Sequence, residues 1–276
     1  MIGSSVSVPA TAGGPLQRFG PWAVITGASD GIGRAFAEEL AAGGVHLVLA
    51  ARGADRLEAL AAQLRARHGV QVDVVAVDLS APDGPALLFA RTAGRDVGLL
   101  VAAAGFGAAG PFLHEPLGVA LNMVDLNCRS VVALCHRYGG ALAARGRGGI
   151  VLLSSIVGFQ GAPQSATYAA TKNFVQALAE ALSVELGPAG VSVLAAAPGP
   201  VRSGFAARAG MVMGATVTPA AVARGSLRAL RRGGTVRPGA LSALLGWSLS
   251  LLPRWLRVRV MAQIMGGMVR RDGASA

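Results

Sequence analysis

From Trp22 onward, short apolar runs of the sequence alternate with longer segments that have helical periodicity. When each strand is followed by a helix, successive strands run parallel and the helices cover both faces of the sheet. Strands are predicted at 22–26, 46–51, 71–77, 99–103, 149–154 and 191–196. Helices are predicted at 32–42, 56–67, 117–144 and 168–186. This pattern predicts a doubly wound α/β fold, which binds ligands at the carboxyl ends of its strands.

The length of 276 residues is long for one domain and short for two, so we expect one domain over residues 21–238. Residues 1–20 are rich in Ser, Gly and Pro and are predicted to be a disordered arm. Because the N-terminus lacks the basic start and long apolar run of a signal peptide, we expect a cytoplasmic protein. Residues 239–276 are predicted to form an amphipathic helical extension.

The segment after Arg202 differs in composition from the preceding chain. Between Phe205 and Val217, two methionines and a valine lie among glycines and alanines, which suits a mobile apolar lid over a substrate pocket. We therefore predict a lid at 204–218. Thr218 and Pro219 have the residue types of an N-cap and a first helical residue, and they predict a helix that runs to about Arg232.

The C-terminal segment 241–269 contains an apolar run of about 12 residues, too short for the ~20 that cross a bilayer. Trp247 and Trp255 lie near Arg254, Arg257 and Arg259, a combination that suits contact with a membrane surface. The alternative, which we favour, is a helical pair packed on the domain or on another subunit. Amphipathicity alone does not separate these two interpretations.

The formal net charge of +11 raises the question of a nucleic acid, membrane or phosphate partner. The basic residues are scattered arginines with a single lysine, Lys172, and aromatic residues make up only 5% of the chain. Without a basic helix or a stacking platform, we predict no nucleic-acid partner. Cys128 and Cys135 lie seven apart in a predicted helix and share a face, so neither a metal site nor a disulfide is predicted.

A glycine-rich segment, residues 26–33, joins the first predicted strand to the first predicted helix. Its glycines permit a tight turn and a close approach to a pyrophosphate, whose charge is met by the amides and positive end of the helix. The strand-turn-helix context makes this a specific signal for a dinucleotide. The predicted cofactor contacts here are Gly27, Ser29, Asp30, Gly31, Ile32 and Gly33.

The end of the second predicted strand indicates which dinucleotide is used. An enzyme that selects NAD usually has Asp or Glu there, whereas the 2′-phosphate of NADP requires a cation. This chain has Arg52 there and Arg56 four residues later, and arginine binds phosphate in a bidentate manner. We predict NADP(H) in preference to NAD(H). The alternative is that Arg52 is one more surface residue of an arginine-rich chain.

Tyr168 and Lys172 are four residues apart in a predicted helix, so they share a face and can act on one bound group. A free phenol has a pKa near 10. A neighbouring ammonium and the positive nicotinamide ring would lower this pKa, so Tyr168 is predicted to be a general acid and base. The alternative is a partly buried tyrosine beside a solvated lysine, a pairing less expected by chance in a chain with one lysine.

These features resemble the short-chain dehydrogenase/reductase family over residues 22–203. Residues 26–33 match the family's TGxxxGxG motif, and Tyr168 and Lys172 match its YxxxK motif. The resemblance implies a Rossmann-like fold and a catalytic serine at Ser155, which would orient the substrate carbonyl, with Ser154 as a rival. It also implies that Asn127 holds a water in a proton relay from the lysine. The further cofactor contacts that it implies are Asp78 and Leu79 at the adenine, and Pro198, Gly199, Val201 and Ser203 at the carboxamide.

The chain departs from the family at the NNAG motif after the fourth strand, which is here Ala102-Ala103-Ala104-Gly105. These four residues are still expected beside the cofactor. The missing asparagine side chains mainly brace the sheet in the family, so their loss puts stability and affinity in doubt more than chemistry.

The resemblance implies an NADP(H)-dependent oxidoreductase that transfers a hydride between nicotinamide and a carbonyl or alcohol. The apolar lid predicts an apolar substrate, such as a ketone, a steroid-like molecule or an acyl chain. A non-catalytic NADP-binding sensor or scaffold is the alternative, because a dinucleotide site by itself proves only binding. The intact set of Ser155, Tyr168, Lys172 and Asn127 favours catalysis. The family also implies a homodimer or homotetramer.

Overall fold

The computed structural model describes Leu16, residues 19–212 and residues 216–268. Within these residues, seven parallel strands form one sheet in the order β3-β2-β1-β4-β5-β6-β7. The chain first builds outward from β1 and then crosses to β4, so the strand order reverses between these two strands. The predicted Rossmann-like fold is confirmed. The strands are β1 (Trp22–Thr26), β2 (His46–Ala51), β3 (Val72–Ala76), β4 (Val97–Ala102), β5 (Gly148–Leu153), β6 (Val191–Ala196) and β7 (Gly234–Val236).

Helices cover both faces of the sheet. The predicted long helix at 117–144 is interrupted, because Asp125–Arg129 forms a π-helical turn between α4 and α5. Such turns occur often at functional sites. The α-helices are α1 (Gly31–Ala42), α2 (Ala54–His68), α3 (Gly84–Arg91), α4 (Leu117–Val124), α5 (Ser130–Arg145), α6 (Ala166–Glu185), α7 (Phe205–Arg208), α8 (Pro219–Ala229), α9 (Ala240–Ser250) and α10 (Arg254–Met268).

Two apolar clusters lie on the opposite faces of the sheet. Alternate residues of each central strand enter different clusters, as Ile25 and Val24 do in β1. Phe36 of α1 packs on one face, and Tyr138 of α5 packs on the other. Because both faces are covered, the strands are continuous apolar runs rather than alternating ones. This is the arrangement that gave the predicted strands their clear sequence signal.

Three elements, α3, α7 and β7, were not predicted. The strand β7 is three residues long and pairs in parallel with the end of β6, from Leu194 with Gly234 to Ala196 with Val236. Gly233 precedes this strand and Gly234 is its first residue, and they have φ of 65° and 76°. A short edge strand that begins with left-handed glycines has the composition of a loop, so its pairing partner decides its structure.

Several boundary predictions are refined by the structure. The predicted arm at 1–20 lies outside the described residues except for Leu16, Phe19 and Gly20, and Phe19 is buried in the core. Part of the predicted lid, including Met213, also lies outside the described residues. The predicted cap is confirmed, because the Thr218 hydroxyl accepts a hydrogen bond from the Ala221 amide at 3.2 Å. The α8 helix then passes into a 3₁₀ turn that ends at Arg232.

The C-terminal helices α9 and α10 pack on the domain. Leu249, Met261 and Met265 form a third apolar cluster with residues of the domain such as Met211. The helix α9 contains no charged residue, and it exposes Trp247 while it buries Leu249. Residues 269–276 of the predicted extension lie outside the described residues.

The stretch Leu117–Arg145 is long and apolar enough to cross a membrane when only length and composition are considered. Core helices meet the same criterion. On this stretch Leu134, Tyr138 and Leu142 are buried against the sheet.

Candidate active site

A cavity of about 710 Å³ lies at the carboxyl ends of the strands. Residues that directly follow β1, β4 and β5 form its wall, among them Gly27, Ala103 and Ser154. All predicted cofactor and catalytic residues line this cavity except Ala102 and Asn127. The fold therefore brings together segments that are far apart in the sequence, from Gly27 to Met268.

The glycine-rich turn between β1 and α1 has the geometry of a phosphate cradle. Gly27 and Gly31 have φ of 64° and 56°, and a Cβ at Gly33 would stand 2.3 Å from the Gly27 carbonyl oxygen. Only glycine therefore lets α1 begin so close to β1. The Asp30 carboxylate caps the helix by accepting from the Gly31 amide at 2.7 Å. The positive end of α1 opens on the cavity, so the turn fits a dinucleotide pyrophosphate.

The part of the cavity beyond β2 and β3 is cationic. Arg52 and Arg56 line it and are exposed. Asp78 lies opposite and accepts hydrogen bonds from the Ser80 hydroxyl at 2.7 Å and from the Ser80 amide at 2.9 Å. These bonds, with a smaller contribution from Arg52, hold the pKa of Asp78 below its usual value. Among the described residues that line the cavity, the acidic ones are Asp30 and Asp78, and neither follows β2.

The loop after β4 replaces the missing asparagines by other contacts. Ala102 does not line the cavity, which corrects its predicted position: it is the last residue of β4 and its side chain is buried in the core. Ala103, Ala104 and Gly105 do line it. The Thr26 hydroxyl accepts from the Ala104 amide at 3.0 Å. The chain therefore braces this loop from β1 although the asparagine side chains are absent.

Asn127 lies behind the cavity wall, buried on the π-helical turn. Its Nδ2 donates to the Phe106 carbonyl oxygen at 2.8 Å and to the Thr171 hydroxyl at 3.1 Å, and its Oδ1 accepts from the Phe106 amide at 3.1 Å. These partners occupy both amide hydrogens of the side chain. The side chain of Asn127 therefore positions the loop after β4 and the helix α6, and its predicted role of holding a water in a proton relay stays a prediction.

The two candidate serines have different partners. The Ser155 hydroxyl lies close enough to the Tyr168 phenol to lower its pKa. The Ser154 hydroxyl donates instead to the Lys172 carbonyl oxygen at 3.1 Å and so ties the end of β5 to α6. Of the two hydroxyls, that of Ser155 therefore adjoins the phenol.

Burial governs the acidity of Tyr168. It raises the pKa of the phenol to about 12, and the Ser155 hydroxyl opposes this shift. The nearby Lys172 was predicted to lower this pKa, whereas burial raises it. The reason is geometric, because the Lys172 ammonium lies 5.6 Å from the centre of the phenol ring and donates elsewhere.

Lys172 is only 7% exposed and is held by the backbone of β5. Its Nζ donates to the Leu153 carbonyl oxygen at 2.7 Å. Burial lowers the pKa of this ammonium to about 8, so it is largely charged at neutral pH. A Cβ at Gly105 would stand 2.9 Å from Asn127 Oδ1 and 3.6 Å from Nζ, so this glycine separates the two side chains.

The opposite half of the cavity is apolar. Phe205 of α7 packs on Tyr168, with ring centres 5.4 Å apart. The contribution of α10 to this half was not predicted, although a signal was present: three of its methionines recur at intervals of four and three residues and share a face. Methionine is flexible and polarizable and suits an adaptable apolar surface. The cavity residues from this region are Met211, Leu249, Leu252, Met261, Met265 and Met268.

An ion pair joins the two halves of the cavity. Arg208 of α7 and Asp30 of the glycine-rich turn have an N–O distance of 3.0 Å, and both line the cavity. They are 178 residues apart in sequence, so no local pattern predicts this contact. The pair places α7 across the start of α1.

A family model described as short chain dehydrogenase matches residues 21–211. A 7beta-hydroxysteroid dehydrogenase from Collinsella aerofaciens is 33% identical over 177 residues, which are 64% of this chain and 67% of that enzyme. A very-long-chain 3-oxoacyl-CoA reductase from Aspergillus clavatus is 35% identical over 188 residues, which are 66% of this chain and 54% of the relative. The match thus spans about half the length of the fungal enzyme.

Solved structures agree with this assignment. A structure from work on 7beta-hydroxysteroid dehydrogenase stereoselectivity has a TM-score of 0.83 at 26% identity and covers 89% of this chain and 98% of its own. A short-chain dehydrogenase from Sphingobium yanoikuyae in complex with NADPH has a TM-score of 0.78 at 30% identity, with coverages of 92% and 99%. The chain belongs to the short-chain dehydrogenase family of oxidoreductases.

Proposed function

We propose that this protein is an NADP(H)-dependent reductase of bulky apolar ketones, or a dehydrogenase of the corresponding alcohols. The observation that carries the proposal is the position of Tyr168 and Ser155, at the boundary between the phosphate cradle and the apolar half of one cavity. A carbonyl group held there reaches the phenol while the rest of its molecule contacts apolar side chains. The localisation we propose is cytoplasmic.

The proposed chemistry assigns one task to each side chain. The bound cofactor supplies the hydride for reduction and accepts it in the reverse direction. Tyr168 donates its phenolic proton to the carbonyl oxygen as negative charge develops there. The Ser155 hydroxyl, which adjoins the phenol, holds the same oxygen. With its pKa near 12, the phenol is protonated at neutral pH and is ready to act as the acid.

The choice of NADP(H) is supported by charge at the end of β2. Arg52 and Arg56 provide two guanidinium groups where NAD-selective proteins have a carboxylate. Two arginines suit the 2′-phosphate of NADP, which guanidinium groups bind in a bidentate manner. The relative from Sphingobium yanoikuyae, solved with NADPH, supports the same choice.

The substrate class is supported by the methionine surface of α10. Met261, Met265 and Met268 are apolar, flexible and placed on one side of the cavity, and none of them offers a charge to a polar substrate. The relatives are named for a hydroxysteroid and for a very-long-chain 3-oxoacyl-CoA, both of which combine a carbonyl or hydroxyl carbon with a large apolar body. A steroid-like ketone or a 3-oxoacyl chain fits this description.

We also propose that the protein is a homodimer or homotetramer through α4, α5 and α6. The support is a set of exposed apolar side chains on α4 and α6, which monomeric surfaces seldom present together. This set contains Leu117, Leu121, Val124, Phe174 and Val184.

The test of the proposed function is a panel of ketones graded in size, mixed with the protein and NADPH. We expect NADPH oxidation with bulky apolar ketones, slower oxidation with small ones, and slower oxidation again when NADH replaces NADPH. The sensor or scaffold alternative predicts tight NADPH binding with no turnover of any carbonyl compound. Binding followed by NADPH fluorescence, measured alongside, separates this outcome from a protein that does not bind the cofactor.

A further inference from the structure

Residues 186–271, most of the C-terminal third of the chain, carry charge of one sign. From Leu186 to Arg271 the sequence contains twelve arginines and neither aspartate nor glutamate. The acidic residues that balance the arginines elsewhere are thus missing from this part of the chain. A segment of this composition is attracted to anionic surfaces over about one Debye length, the distance beyond which salt screens charges.

The outer face of the helical pair α9–α10 is apolar and exposed. Leu244 and Trp247 of α9 are 60% and 62% exposed, and Leu251 and Trp255, around the turn into α10, are 67% and 58% exposed. The opposite face of α9 already packs against the domain through Leu249. A helix that is apolar on all sides is ordinarily buried on all sides, so the exposed outer face indicates an interaction site.

Arginines flank this apolar face. Arg254 and Arg259 are exposed, and the Arg259 guanidinium lies 5.2 Å from the centre of the Trp255 ring. Arg257 fixes the turn by donating to the Leu252 carbonyl oxygen at 2.8 Å. No ion pair between described residues includes any of these three arginines.

We propose that the outer face of α9 and the start of α10 dock on an anionic phospholipid membrane. Tryptophan is enriched at the boundary between headgroups and acyl chains, leucine enters the apolar side, and arginine meets lipid phosphates. The eleven residues of α9 are too few to cross a bilayer, so the helix lies along the surface. The docking face has four large apolar side chains and two exposed arginines, which is the composition of a helix that lies at a membrane surface.

A second copy of the chain fits this face less well. Two copies that met through α9 and α10 would place arginines against arginines, with no acidic residue of the segment to compensate. Like charges that face each other across an interface are costly. An anionic lipid surface complements the same charges.

The docking face shares its helices with the cavity. Leu252 lines the cavity, whereas the adjacent Leu251 is exposed on the docking face. This relation extends the proposed function and rests on it: an apolar ketone dissolved in the membrane would enter the cavity beside the α9–α10 turn. Membrane docking itself does not depend on the reaction.

Flotation of the full chain with vesicles tests the docking without cofactor or substrate. The vesicles are equimolar phosphatidylcholine and phosphatidylglycerol, with pure phosphatidylcholine for comparison. We expect binding to the anionic vesicles that is at least about tenfold weaker for the double variant Leu251→Ser, Trp255→Ser. The matched control is Phe112→Ser, Leu113→Ser, which removes two side chains that are 61% and 89% exposed on another surface.

The charge contribution is tested by Arg254→Gln, Arg259→Gln. At about five- to sixfold per arginine, the double variant should bind anionic vesicles about 30-fold more weakly. Its control is Arg67→Gln, Arg91→Gln, which removes two exposed arginines of α2 and α3. Equal binding by the two pairs of variants would show that only net charge is sensed, which contradicts docking through this face.

Two further outcomes overturn the proposal. One is the absence of vesicle binding by the wild-type chain. The other is a Leu251→Ser, Trp255→Ser variant that binds vesicles as the wild type does but sediments as a smaller oligomer. That result would assign the face to contact with a second copy of the chain. NADPH oxidation on a water-soluble ketone should be the same in both variants and the wild type. A chain that floats with vesicles but oxidises no NADPH would refute the proposed function and leave the docking intact.

Discussion

The Lys172 ammonium donates a hydrogen bond to the Leu153 carbonyl oxygen at 2.7 Å. The end of β5 therefore fixes the position of the lysine, although its partner in the sequence motif is Tyr168, one helical turn before it. The lysine is buried and its pKa falls from 10.5 to about 8. In the native protein the charge is therefore less favourable than in the unfolded chain.

This burial predicts a dependence of stability on pH that the variant Lys172→Met lacks. Between about pH 8 and 10.5 the unfolded chain keeps the lysine proton and the native state has released it, so native stability rises with pH. Relative to the variant, the wild type should gain up to about 3 kcal/mol across this window. Urea unfolding at several pH values measures the difference. A difference in unfolding free energy between wild type and variant that does not change with pH would contradict a buried lysine with a lowered pKa.

The two pKa values also predict the pH profile of the reaction. Tyr168 keeps its proton up to about pH 12, so reduction should not be limited by the acid at neutral pH. Reduction should instead decline above about pH 8 as Lys172 loses its charge. Burial dominates the phenol pKa, but an ammonium 5.6 Å from the phenol ring still favours the phenolate more than a neutral amine does. Oxidation of the alcohol, which needs the phenolate as base, should accelerate with rising pH. Initial rates in both directions test this, and a reduction rate that increases from pH 7 to pH 9 would contradict it.

Asn127→Ala should destabilise the protein and weaken cofactor binding. The substitution leaves the Phe106 amide and carbonyl without their side-chain partners, at a cost of about 1–3 kcal/mol. Because the loop after β4 forms the cavity wall, we expect a higher Kd for NADPH by fluorescence titration and a lower Tm. Asn122→Ala, on α4 of the same helical stretch, is the control. Equal behaviour of the two variants would remove the positioning role.

Arg52→Ala should weaken NADPH binding and leave NADH binding nearly unchanged. A charged hydrogen bond to a phosphate contributes about 1.5–3 kcal/mol, so the Kd for NADPH should rise about 10- to 100-fold. Arg67→Ala, an exposed arginine later on α2, provides a control with the same loss of net charge. Parallel weakening with NADPH and NADH would mean that Arg52 does not contact the 2′-phosphate.

The sequence predicted the parts of the molecule whose signal is local. The strands β1 to β6 are continuous apolar runs, and the turn of residues 26–33 requires glycine at defined positions, so both were predictable from neighbouring residues. The short strand β7 was not, because its glycines favour a loop and only pairing with β6 makes it a strand.

Contacts between distant segments were outside the reach of sequence patterns. The resemblance assigned Asn127 a role in a proton relay, but it did not predict the hydrogen bonds to Phe106 and Thr171, which belong to other elements. Likewise, the helical pattern of α10 indicated an apolar face without indicating that Met261 and Met265 line the cavity. Long-range packing decides which apolar face becomes core, cavity wall or exposed surface.

The central claim is that Tyr168 is the proton donor, and Tyr168→Phe tests it directly. The matched control is Tyr138→Phe, since the buried Tyr138 bonds to the Thr92 hydroxyl at 3.0 Å, far from the cavity wall. With NADPH and an accepted ketone, the kcat of Tyr168→Phe should fall by about 100- to 10,000-fold, with the Kd for NADPH unchanged, and Tyr138→Phe should keep its activity. A Tyr168→Phe variant with the wild-type kcat would contradict the account.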